Sequence, residues 1–180
     1  LAPEFGYAPL KQEELPTLKK FHLKSLIWKR LGLRLFLFPL ILKRGREEYH
    51  KLVPEVQLFS GMKELIDTLR TRGYSVGIVS SSRKDTIAAL MEKFGVCMDF
   101  VYQCGLFSKS KTLSQVLKEK NCPVNEAIYI GDEIRDVESC RKIGLDVISV
   151  TWGLNSKDAL QAIGADTVDT KEQLLARLLQ

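Results

Sequence analysis

The 180 residues amount to 20.4 kDa, with 45% hydrophobic and 27% charged side chains. These proportions suit a globular domain and exclude a disordered tail, a collagen-like chain and a small disulfide scaffold. The net charge of +5 is unevenly placed: residues 1–54 hold eleven Lys or Arg against five Glu, and the remainder sixteen against seventeen acidic residues.

The longest apolar run, Leu35 to Leu42, is interrupted by Pro39 and falls short of the roughly twenty residues a membrane span needs, so no membrane partner is expected. The opening, with Glu4 and an early proline, predicts no secretory leader, and without Met at position 1 the natural start is expected elsewhere. The basic N-terminal third reads either as solvated helix faces or as a surface that attracts an anionic substrate. No basic stretch is interleaved with aromatics in a recognition motif, so nucleic acid is not an expected partner. Cys97, Cys104, Cys122 and Cys140 form no CxxC pair, which predicts reduced thiols and a cytoplasmic setting.

In chain order, Leu23, Leu26, Ile27 and Leu31 recur at helical spacing with Gly32 as a stop, and a second helix is predicted from near Pro39 through Tyr49 and Leu52. Pro16 and Pro39 suit helix starts, and no strand is expected before Pro54. Beyond it, helices and strands alternate. Met62, Leu65, Ile66 and Leu69 predict a helix ended by Gly73, followed by a strand over Tyr74 to Val79. Ile87 to Phe94 is a helix ended by Gly95, Phe100 to Tyr102 a strand, Leu113 to Leu117 part of a helix, and Ala127 to Ile130 a strand. Ile134, Val137 and Cys140 mark a helix ended by Gly144, Val147 to Val150 a strand, and Leu160 with Ile163 a helix. Thr167 and Val168 form a short last strand, and Thr170 with Gln173 reads as a capping box for the final helix. This alternation predicts an α/β fold, a Rossmann-like parallel sheet with helices on both faces.

Ligands of open parallel sheets bind beyond the carboxyl ends of the strands, so the residues there carry the candidate chemistry. Ser80, Ser81 and Ser82 follow the Ile78–Val79 strand. Such a run makes a turn and helix cap; functionally, Ser80 can donate its hydroxyl to a phosphoryl oxygen, helped by backbone amides near Ser81. Gly131–Asp132 through Asp136 follows the next strand end. Acids in a first helical turn complement the helix dipole, yet Asp132 and Asp136 are also spaced to converge as hard oxygen ligands for Mg2+. Lys109 precedes Ser110, the expected cap, and is preferred over Lys111 as the cation that reaches back over the sheet edge.

This order of hydroxyl, ammonium and paired carboxylates resembles the haloacid-dehalogenase-like (HAD) superfamily, in its phosphatase branch. Gly77-Ile78-Val79-Ser80 matches the family's second motif, Lys109 the third, and Gly131-Asp132 through Asp136 the fourth. Val150-Thr151-Trp152-Gly153-Leu154-Asn155-Ser156, with Gly164-Ala165-Asp166 further on, is similar to phosphoglycolate-phosphatase-like members. The resemblance spans about residues 57–180 and implies a core over 55–180 with residues 1–54 as a helical cap. One departure matters: the family's first motif, DxDx(T/V), is absent, the first Asp being Asp67. That motif is expected upstream of Leu1, on a first strand absent from the chain.

The resemblance implies a Mg2+-dependent phosphatase acting on a small anionic phosphomonoester through an aspartyl-phosphate. Ser80, Ser81 and Lys109 would hold the phosphoryl group. Asp132 would bind the metal, Asp136 would do so directly or through water, Glu133 would contribute through water, and Arg135 would be structural. The 180 residues alone are expected to be inactive, having no nucleophile. A non-catalytic phosphate- or partner-binding protein is the alternative, with a dehalogenase or a sugar-phosphate mutase as weaker rivals. The oligomeric state and the particular substrate are not legible. The fold would place the absent strand between the Tyr74–Val79 and Ala127–Ile130 strands. An unfilled slot there is not expected, because the unpaired backbone groups would be too costly. The strand lies outside the chain, the flanking strands pair directly, or another chain supplies it.

Overall fold

The computed structural model describes residues 1–9, 11–22, 25 and 37–180. The helix expected around Leu23 to Leu31 falls outside them. The regular elements among the described residues before Pro54 are all helical: short turns at Ala2–Phe5, Gln12–Glu14 and Leu15–Leu18, then helix α1, Phe38–Lys51. Pro16 and Pro39 stand in the first turns of their helices, where a missing N–H costs nothing. Part of the basic charge is taken up locally, since Arg44 pairs with Glu47 and Glu48, and Lys51 with Glu48.

From there the chain alternates through α2 (Met62–Thr71), β1 (Gly77–Ser80), α3 (Lys84–Phe94), β2 (Phe100–Gln103), α4 (Lys109–Glu119), β3 (Ile128–Gly131) and α5 (Ile134–Arg141). It ends with β4 (Asp146–Val150), α6 (Lys157–Ala162), β5 (Thr167–Val168) and α7 (Lys171–Leu178). Two strands begin later than the hydrophobic pattern predicts. In β1, pairing starts at Gly77, against Phe100, and a Cβ on Gly77 would meet the Phe100 ring at 2.1 Å. Tyr74 instead sends its hydroxyl to the Leu178 carbonyl.

The strands form two parallel sheets, β1–β2 and β3–β4–β5. Of the three alternatives for the absent strand, direct pairing of β1 with β3 is not what the structure shows, and no described strand lies between them. Both sheets rest on one helical layer. Val79 of β1, Leu113 and Val116 of α4 and Cys140 of α5 share a core with Tyr129 of β3 and Val147 of β4. Across the separation Tyr129 Oη donates to the Val79 carbonyl (3.2 Å). Ile128 and Ile130, on the opposite face of β3, remain 45% and 36% exposed. The other face of β4 and β5 is closed by α2 and α7, through Leu65, Leu69, Ile148, Val150, Val168 and Leu174.

The N-terminal segment is tied to this body at two places. The Asn155 amide donates to the carbonyls of Lys19 (2.9 Å) and Phe21 (3.1 Å), and Ser156 N donates to Lys19 O (2.9 Å). Below α1, His50 Nδ1 shares a hydrogen bond with buried Thr86 Oγ1 (2.9 Å), and Lys93 Nζ donates to the carbonyls of Val53, Pro54 and Val56.

Candidate active site

The carboxyl ends of β1 and β3 carry the polar residues picked out from the sequence. At the end of β1, Ser80 Oγ accepts the Ser82 amide (3.2 Å), closing a turn and leaving its own proton to donate elsewhere. Ser81 Oγ accepts from Arg135 Nη2 (3.4 Å). At the end of β3, Asp132, Glu133 and Asp136 bring carboxylate oxygens within 4.8 Å of one another.

Two glycines make room for these acids. A Cβ on Gly131 would lie 2.6 Å from Asp136 Oδ2, and one on Gly153 would lie 2.2 Å from the Asp132 Cβ. The loop after β4 then fixes the turn: Leu154 N donates to Asp132 Oδ2 (2.7 Å), and Asn155 N to Asp132 O (3.0 Å). Asn155 Oδ1 accepts the Ile134 amide (2.9 Å). It thereby caps α5 from a distant segment, since Glu133 at the cap position makes no side-chain cap bond. Asn155 lies in the Val150 to Ser156 stretch, but its capping role has no local sequence signal.

Lys109 is 7% exposed, whereas Lys111 is exposed to solvent. The helix cap falls on Ser108 rather than Ser110, so Lys109 is the first residue of α4 instead of preceding its cap. From there its Nζ reaches back to Tyr129 Oη (3.0 Å) and to Asp136 Oδ1. Burial alone would lower the lysine's pKa; the Tyr129 oxygen and the Asp136 carboxylate outweigh it and hold the ammonium above its ordinary range. Burial pushes the Asp136 carboxyl up against the pull of Lys109. Tyr129 is raised as well, first by burial and then by Asp136, and is the neutral donor to Val79.

Lys109 and Asp136 therefore meet directly, Asp132 lies beside Asp136, and Ser81 is linked to the acidic turn through Arg135. Ser80 makes no described side-chain hydrogen bond to this cluster. Tyr129 is a polar residue whose contribution the sequence did not disclose, and Arg135, expected to be structural, bonds Glu133, Leu106 and Ser81. Three clustered carboxylates are the donor set that a hard divalent cation requires. Asp132 Oδ1 is free of protein hydrogen bonds among the described residues, so Asp132 is the member of the set that fits direct ligation of Mg2+.

The sequence profile of the haloacid dehalogenase-like hydrolases matches residues 1–150. The chain belongs to the haloacid dehalogenase-like hydrolase family. It is 33% identical, over 183 residues, to the phosphoglycolate phosphatase of Synechococcus elongatus, spanning 99% of this chain and 86% of that protein. A haloacid dehalogenase-like hydrolase of Streptococcus pneumoniae superposes with a TM-score of 0.79 at 20% identity, over 99% of this chain and 86% of the other. Protein tyrosine kinase A of Mycobacterium tuberculosis superposes with a TM-score of 0.75 at 21% identity, over 98% and 85%. The last two establish the fold alone. Among the described residues no helix is long and apolar enough to cross a membrane.

Proposed function

We propose that this chain carries the phosphoryl- and metal-binding machinery of a Mg2+-dependent HAD phosphatase that hydrolyses a small anionic phosphomonoester. The observation that carries the reading is the meeting of Lys109 with Asp136, beside Asp132, at the end of β3. Likeness to a phosphoglycolate phosphatase supports the substrate class.

Asp132, with Asp136 directly or through water, would hold Mg2+, which supplies positive charge to the phosphoryl oxygens. Lys109 adds a fixed, water-shielded cation, and Ser80 and Ser81 donate hydroxyl protons to the same oxygens. Residues 1–54 would act as a cap that excludes water over the bound substrate. In the two-step reaction the family resemblance implies, a carboxylate attacks phosphorus in line and the bond to the leaving alcohol breaks; water then cleaves the acyl phosphate. No Asp-x-Asp occurs in the 180 residues. That favours a second reading for the chain taken alone, binding of metal and phosphate without turnover.

Isothermal titration with Mg2+ and with inorganic phosphate tests the proposal. The wild-type chain is expected to bind both. Asp132→Asn is expected to weaken Mg2+ by more than the roughly 10–100-fold that loss of an outer partner produces. A wild-type chain that takes up neither ligand overturns the reading. Hydrolysis of p-nitrophenyl phosphate by the chain alone would overturn binding without turnover.

A further inference from the structure

Arg135 stands in an unexpected place for a surface arginine. It lies in the first turn of α5, where a cation opposes the helix dipole. A long cationic side chain at such a position ordinarily carries its head out to water. Here the side chain is only 14% exposed and turns inward. Its Nε and Nη2 grip both carboxylate oxygens of Glu133, the second at 2.8 Å. Nη1 donates to the Leu106 carbonyl (2.9 Å), and Nη2 also reaches Ser81 Oγ (3.4 Å).

These contacts join segments that the backbone leaves separate. Ser81 follows the β1–β2 sheet and Glu133 follows the β3–β4–β5 sheet, and the two sheets share no ladder hydrogen bonds. Below them Tyr129 Oη bridges to Val79 O; at the rim the bridge is Arg135. The bridge also orients its partners. Because Ser81 Oγ accepts from the guanidinium, its own proton is turned elsewhere and is available to an anion in the cleft. The guanidinium engages both Glu133 oxygens, Lys109 and the Asp132 amide engage the two Asp136 oxygens, and Asp132 alone of the three keeps an oxygen, Oδ1, free of protein hydrogen bonds among the described residues.

We infer that Arg135 is a positioning residue: it sets the spacing between the serine turn and the carboxylate turn, and so couples anion binding at one to cation binding at the other. The inference rests on the phosphatase reading of this site. A planar fork that bonds three segments at once is what arginine provides and lysine does not.

The test measures coupling instead of stability. Inorganic phosphate is titrated with and without saturating Mg2+, and Mg2+ with and without phosphate; linkage requires the same factor in both directions. The wild-type chain is expected to show mutual tightening. Arg135→Gln is expected to cut that factor about tenfold, the effect of losing a charge-assisted hydrogen bond. Mg2+ binding without phosphate should change by less than about threefold, because Asp132 and Asp136 remain. Arg135→Lys retains the charge and lacks the fork, so it is expected to lose the coupling too; it also carries the test if the glutamine variant fails to fold. Full coupling in either variant overturns the inference, and full coupling in the lysine variant assigns the effect to charge alone. A wild-type chain that binds both ligands without coupling overturns the inference while the phosphatase reading stands; one that binds neither overturns both.

Discussion

Cys140 packs in α5 one turn beyond Asp136, with no exposed surface. Burial, followed by the Asp136 carboxylate, pushes its thiol up to about 12. In an unfolded chain a thiol titrates near about 8.5. A native value raised above the unfolded one gives stability that is complete below that pH and is lost as pH climbs toward the native value. The urea midpoint of the wild type is therefore expected to fall more steeply between about pH 8.5 and 10.5 than that of Cys140→Ala. The variant should differ by a constant packing loss below that window, and parallel pH profiles would refute the assignment. At this scale the sequence was partly readable. Lys109 is buried and Lys111 exposed, but the positional ground for preferring Lys109, a cap at Ser110, does not hold, since the cap is Ser108. The grip of Arg135 on Glu133, Leu106 and Ser81 was not readable, since the last two lie 29 and 54 positions away.

The Lys109–Asp136 pair joins α4 to α5 with both side chains under 10% exposed. Lys109→Met would strand a buried carboxylate and is expected to cost about 3–5 kcal/mol, whereas replacing both partners by apolar residues of similar volume is often nearly neutral. Urea denaturation should therefore show Lys109→Met/Asp136→Leu recovering most of what Lys109→Met loses. A double variant no more stable than the single one would mean that the pair is not the tie between these helices. Most elements were legible from periodicity and their stops: Gly73, Gly95 and Gly144 have φ of 87°, 58° and 69°, as helix-ending glycines should. Pairing was less legible, because a strand's start depends on its neighbour. The final capping box is a variant, with Thr170 Oγ1 accepting Gln173 N and Gln173 Oε1 accepting the amide of Asp169 instead of Thr170.

Across the whole molecule, alternation of strand and helix predicted the parallel α/β architecture but not its division into two sheets. No described strand joins β1 to β3; α4 and α5 pack against both sheets, and α2 and α7 close β4 and β5. Amides that pair β4 with its neighbours, between helices on both faces, should exchange more slowly than those pairing β1 with β2. Native-state hydrogen exchange will check this, and equal protection in the two sheets would show that they open as one unit.

The two attachments of the N-terminal segment have a mechanical meaning. Asn155 grips the backbone at Lys19 and Phe21 with the same amide group whose oxygen caps α5, and Asn155 N holds the carbonyl of Asp132. Lys93 clasps the chain at Val53 to Val56. The first attachment is made by the residue that also holds the turn carrying Asp132, so the backbone at Lys19 and Phe21 and the aim of that carboxylate depend on one asparagine.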